Sequence, residues 1–124
     1  MKIITAIGNE EINKKMKENK MEIIGKDIQY MEAVIEVIEK NPSVELLILS
    51  SILPGDLNIY EFINIIKYNN PKLEIIIILE KENQEMKQFM ISKGINNFYY
   101  NNKNTINEII EKIKIIENKS DKKY

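Results

Sequence analysis

The chain has no cysteine, no histidine and no tryptophan, and all 18 of its basic residues are lysine. Without cysteine there is no disulfide, no thiol nucleophile and no thiolate metal site. Without histidine, the side chain whose ordinary pKa suits proton shuttling near neutrality is absent, and His-ligated zinc with it. Without arginine there is no planar fork to grip phosphate or carboxylate. Triad hydrolysis and arginine-finger chemistry are therefore excluded within these residues. An excess of one charge sign is also missing. Eighteen bases face 19 acids for a net charge of −1, which argues against a nucleic-acid partner.

Long apolar runs are absent too. The longest, Ile75 to Leu79, is far short of the ~20 residues that span a bilayer. Met1 to Gly8 lacks the length and cleavage pattern of a secretory signal. The expectation is a soluble cytoplasmic protein with no membrane partner. What is present is a 44% hydrophobic content, enough for one buried core in 124 residues but not for two domains.

The four glycines and three prolines divide the chain into short apolar segments. Ile3 to Ile7 reads as a buried strand ended by Gly8-Asn9, and Asn9 can cap a following helix that carries Glu10 and Glu11 in its first turn. Met21 to Ile24 is a second strand, stopped by Gly25. Asp27 is a plausible cap for a second helix, whose stripe is Ile28, Met31, Val34, Ile35 and Ile38. Val44 to Leu49 is a third strand. Asn58 and Glu61 resemble a capping box before a third helix. Leu73 to Leu79, with four consecutive isoleucines, is a fourth strand. A helix from about Asn83 to Lys93 ends at Gly94, an expected left-handed C-cap. Asn97 to Tyr100 is a fifth strand. Thr105 and Glu108 form a second capping box, for a helix striped by Ile106, Ile109, Ile110, Ile113 and Ile116.

Five βα units in alternation imply a parallel sheet covered on both faces. The expected architecture is α/β: a flavodoxin-like three-layer αβα sandwich with strand order 2-1-3-4-5. In that order a crevice opens at the strand C-terminal ends. Its candidate residues are Gly8, Asn9 and Glu10 after strand one, Ser50, Pro54 and Gly55 after strand three, Glu80 after strand four and Asn101 after strand five.

Leu47-Ile48-Leu49-Ser50-Ser51-Ile52-Leu53-Pro54-Gly55 resembles the third strand and the apolar-Pro-Gly loop of response-regulator receiver domains, the CheY-like family. Lys93-Gly94-Ile95 ahead of Phe98-Tyr99-Tyr100 is a second likeness, and the element order extends the resemblance over nearly the whole chain. The resemblance implies a degenerate member, a pseudo-receiver. The family's phosphoacceptor aspartate falls on Ser50, and its metal-holding acidic pair on Ile7 and Gly8. The Ser or Thr that ends strand four falls on Leu79 or Glu80, the conserved lysine on Asn101, and the aromatic switch position on Phe98. Aspartyl phosphorylation needs a carboxylate nucleophile, a carboxylate-held cation and a lysine. The expectation is no enzymatic activity, no cofactor and no catalytic residue.

In this family the face of helix four, strand five and helix five is the usual contact surface. The resemblance therefore places a protein partner or a homodimer on Phe98, Tyr99, Tyr100 and Ile115. An alternative reading is a metal- or small-ligand-linked switch built on Glu10, Glu11, Asp56 and Glu80. A DNA-binding role ranks last, because no basic face is apparent. Residues 1–117 form the expected receiver-like domain, and residues 118–124 a polar tail or the start of a linker. Met1 to Asn9 and Ile23 to Tyr30 are further similar to the degenerate receiver-like domains at the N-termini of MinD/ParA-type pilus-assembly ATPases. That likeness implies an N-terminal piece of a larger signalling or ATPase protein.

Overall fold

Strands with apolar side chains at every position can be satisfied only where both faces are covered. A computed structural model, which describes residues 1–121, shows how this chain meets that demand. The elements run β1 (Lys2–Ala6), α1 (Glu10–Glu18), β2 (Glu22–Ile23), α2 (Met31–Lys40), β3 (Leu46–Ser50), α3 (Ile59–Asn69), β4 (Glu74–Leu79), α4 (Gln84–Ser92), β5 (Asn97–Tyr100) and α5 (Thr105–Asp121). The five strands are parallel in the order β2-β1-β3-β4-β5, as expected.

Alternate residues of each central strand feed separate cores. Ile4, Leu47, Leu49, Ile75 and Ile77 pack under α2, α3 and α4, where Phe62, Ile63, Ile66 and Met90 meet them. Ile3, Leu46, Ile48, Ile76 and Ile78 pack under α1 and α5, against Met16, Ile106, Ile109, Ile110 and Ile113. The period of two in a strand divides one apolar run between two layers. An edge-to-face contact between Tyr60 and Phe89, with ring centroids 4.9 Å apart, joins α3 to α4.

Several local expectations hold. Asn9 and Asn58 accept hydrogen bonds from the amides of Glu11 and Glu61 as expected, and Asn83, expected as the start of α4, instead caps it by accepting from the Met86 amide. Gly94 sits at φ +82°, just past the end of α4. Others need correction. Asp27 does not cap α2: that helix begins four residues later at Met31, after Tyr30, which gives no side-chain cap. Ile28 lies in the connection, still buried. The Thr105–Glu108 capping box does not form either. The Glu108 amide donates to the Asn104 carbonyl, and the Thr105 hydroxyl accepts from the Asn102 amide and donates to the Tyr100 carbonyl. Thr105 thus pins the β5–α5 turn instead of opening the helix. Helix α5 runs to Asp121, past the expected boundary at residue 117, because no proline or glycine interrupts it. The remainder of the expected tail, residues 122–124, lies outside the described residues.

The Pro54-Gly55 turn receives the start of α2. The Met31 amide donates to the Pro54 carbonyl at 2.9 Å, and the Asp56 amide donates to Glu32 Oε1 at 3.0 Å. A Cβ on Gly55 would lie 2.9 Å from the Met31 Cβ, so the turn is glycine for closeness of approach. Ile77 is fully buried on β4, an interior strand. Replacing it with alanine is expected to cost about 2–5 kcal/mol in chemical denaturation.

Candidate functional site

The crevice at the strand C-terminal ends is organised by a residue outside the sequence-derived site set. Asp27 is 5% exposed, and its carboxylate faces the β1–α1 loop. Oδ1 accepts from the Thr5 hydroxyl at 2.7 Å and the Ile7 amide at 2.9 Å. Oδ2 accepts from the amides of Gly8 at 2.7 Å and Asn9 at 2.8 Å, and from Gln29 Nε2 at 3.2 Å. Gly8 adopts φ +83°, which turns consecutive amides toward one point, an arrangement suited to an anion. The anion there belongs to the chain itself. The Asp27 amide in turn donates to Glu10 Oε1 at 2.7 Å, so the connection after β2 is tied to the start of α1 in both directions.

Behind this carboxylate lies buried Asn13, whose amide packs on the same Thr5 hydroxyl. A hydroxyl has one proton to give, and it is used on Asp27. Turning the Asn13 amide so that its NH2 donates to Thr5 Oγ1 also supplies a partner for Asn13 Nδ2, which otherwise has none. The result is a buried chain from Asn13 through Thr5 to Asp27.

The expected crevice residues occupy its rim and are mostly committed to local partners. Ser50 ends β3 and is 3% exposed, and its hydroxyl accepts from the Ile52 amide at 3.3 Å. Leu79 is buried at the end of β4. Glu80, the next residue, is exposed and accepts from Asn101 Nδ2 at 3.1 Å. Asn101 is held beside it because its amide donates to the Leu79 carbonyl at 2.8 Å. Asn9 caps α1, and Pro54 and Gly55 receive α2. The acids of the metal-switch reading are not brought together. Glu10 is bound to the Asp27 amide and Glu80 to Asn101, and Asp56 lies in the turn facing α2. Among the described residues, no three Asp or Glu side chains gather where they could hold a metal ion. The metal part of that reading is corrected: Glu10 and Glu11 share the first turn of α1, but Asp56 and Glu80 stand on two other loops, and they do not converge.

On the α4–β5–α5 side, Phe98 turns toward the core under α2, α3 and α4, while Tyr99 turns toward the core of α1 and α5. Tyr99 is half-buried and lies beside Ile115, which is 49% exposed, in an apolar depression that also touches Glu108 and Lys112. Burial, with a smaller push from the Glu108 carboxylate, raises the Tyr99 phenol above its ordinary range. Tyr100 is at the surface, where its hydroxyl accepts from Lys87 Nζ at 2.9 Å and donates to Glu82. Lys87 Nζ also stands 5.1 Å from the Tyr100 ring centroid. The Tyr100 hydroxyl, and then the ammonium, hold the Glu82 carboxyl below its usual range. Tyr100 and then Glu82 hold Lys87 above its own. No local sequence pattern signals this relay, because it joins residues 13 and 18 positions apart that only the pairing of β4 with β5 brings together.

No protein-family model matches the chain, and no curated protein does. Solved structures do. The receiver domain of a Francisella response regulator is 18% identical, with 96% of this chain and 98% of that chain covered at a TM-score of 0.77. The N-terminal domain of an uncharacterized Wolinella succinogenes protein is 16% identical, with 97% and 96% covered at 0.79. An orphan response regulator of H. pylori is 14% identical, with 93% and 94% covered at 0.75. At these identities the likeness establishes the flavodoxin-like receiver fold.

The Asp27 network has a measurable consequence. Asp27→Ala strips the partner from three backbone amides and a buried hydroxyl, and is expected to cost about 3–5 kcal/mol. Asp27→Asn, which keeps one oxygen, is expected to cost less. Urea unfolding of the two variants checks the order, and equal losses would mean that shape rather than hydrogen bonding governs the position.

Proposed function

We propose that this chain is a receiver-like signalling module that acts by contact with another protein, or with a second copy of itself, and without phosphorylation. In this reading it is not an enzyme. The observation that carries the proposal is the chemical occupation of the crevice. An internal carboxylate fills the β1–α1 amides, an uncharged asparagine bonded to Glu80 stands where the family's lysine falls, and a buried serine replaces the nucleophilic aspartate. A hydroxyl without a base or a bound cation is a poor nucleophile, and an incoming phosphoryl group would meet the negative charge of Asp27 and Glu80.

The contact surface in this reading is the face of α4, β5 and α5. Tyr99 and Ile115 supply apolar area, and the Lys87–Tyr100–Glu82 relay supplies ordered charge beside it. Such a pairing of a small apolar centre with a polar surround suits a protein interface. The sequence likeness to domains preceding pilus-assembly ATPases fits a role within a larger protein, in which this module would localise or regulate its neighbour.

Mass spectrometry after incubation with acetyl phosphate and magnesium is the test of phosphorylation independence. No phosphoryl adduct is expected on the native chain, nor on Ser50→Asp, which restores the nucleophile but neither the cation site nor the lysine. An adduct on either would overturn the reading. Ile115→Lys probes the surface. Because the residue is half-exposed, its stability is expected to change by less than about 0.5 kcal/mol, while self-association in sedimentation velocity, or capture of a partner once one is known, is weakened. A loss of stability instead of association would make Ile115 a packing residue.

A further inference from the structure

A cavity of about 200 Å³ opens between the start of α1, the β5–α5 turn and the first turns of α5. It lies on the α1 and α5 side of the sheet and shares α5 with the proposed contact face, at the first turns of that helix rather than at Ile115. Its floor is hydrocarbon: Ile12 from α1 and Ile106 from α5 present surface, with Ile78 of β4 and Ile109 of α5 buried beneath them. Its rim is made of donors. Lys15 and Lys103 both line it, and neither forms an ion pair among the described residues. Asn9 and Asn102 line it as well. The side-chain oxygen of Asn9 is used by the Glu11 amide at 2.9 Å, and that of Asn102 by the Asn104 amide at 2.8 Å. Those bonds fix the two amides with their NH2 groups as the unused ends. Against these four donors stands a single rim carboxylate, Glu11.

We propose that this cavity is a binding site for a small organic carboxylate with one ring or one short branched chain. The apolar body would lie on Ile12 and Ile106, and its carboxylate would meet Lys15, Lys103 and the asparagine amides. Size sets the class. Cavities for drug-sized molecules begin near ~300 Å³, so a flavin or dinucleotide is too large, whereas an apolar cavity of about 150 Å³ accepts benzene. Charge sets the head group, since the rim offers donors and a net positive charge, to which the N-terminal ends of α1 and α5 add.

The test is an amide NMR titration of the intact chain with benzoate as the probe, with benzamide as its neutral counterpart. Saturable shifts are expected at Ile12, Ile78 and Asn102 to Ile109 below about 20 mM benzoate, a range that saturates even a millimolar site. Benzamide is expected to bind at least about fivefold more weakly, and so is benzoate to the Lys15→Gln/Lys103→Gln double variant. Both lysines are exposed, so that variant is expected to keep its melting temperature. Linear shifts, shifts centred elsewhere, or equal binding of benzoate and benzamide would overturn the assignment. The benzamide comparison uses the native chain and so decides the matter even if the double variant folds poorly. No outcome here depends on whether the α4–β5–α5 face binds a partner.

Discussion

The covering of one parallel sheet on both faces is the constraint from which the rest of the structure follows. β1, β3 and β4 are buried at nearly every position, so each must send alternate side chains into two cores at once. That requires helices on both sides, and the chain divides them three to two: α2, α3 and α4 against α1 and α5. Right-handed crossovers then fix the strand order, and with it the place where the loops converge. Every candidate functional residue after a strand sits at that one end because all five strands point the same way.

At that end, the backbone amides turned inward by the β1–α1 loop are settled within the chain. The amides exposed by the turn at Gly8 would be costly to leave unpaired beside a closed core. Asp27 answers them with a carboxylate that also engages Thr5, and the connection between β2 and α2 is thereby drawn across the mouth of the crevice. Glu80 and Asn101 close the opposite side with an interaction between loops. A site arranged in this way is stable and specific in shape, and it offers little free charge of the kind that phosphoryl transfer requires.

The two remaining surfaces differ in character. The α4–β5–α5 face combines exposed hydrocarbon at Tyr99 and Ile115 with an ordered tyrosine-centred charge relay. The cavity between α1 and α5 has a recessed apolar floor and a rim whose two lysines form no ion pair among the described residues. The first is broad and shallow, which suits another protein. The second is narrow, which suits a small molecule. They share α5: the cavity uses its first turns at Ile106 and Ile109, and the contact face its later turns at Lys112 and Ile115.

Element order, sheet order and the asparagine caps at Asn9 and Asn58 were legible in the sequence, because apolar period and asparagine caps are local properties of the chain. The residues at the crevice rim followed from that order. Local pattern misled where a polar residue had a distant partner. Asp27 has the spacing of a helix cap and Thr105 that of a capping box, yet each bonds across a loop instead. The Lys87–Tyr100–Glu82 relay and the α1–α5 cavity left no local trace. Sequence alone determined that this chain makes a two-sided parallel sheet with none of the side chains of histidine, cysteine or arginine chemistry, since composition and hydrophobic period are fixed before folding. Tertiary structure alone decided which buried donors meet which acceptors, because a hydrogen bond depends on ångström-scale placement of groups that only strand pairing and helix packing bring together.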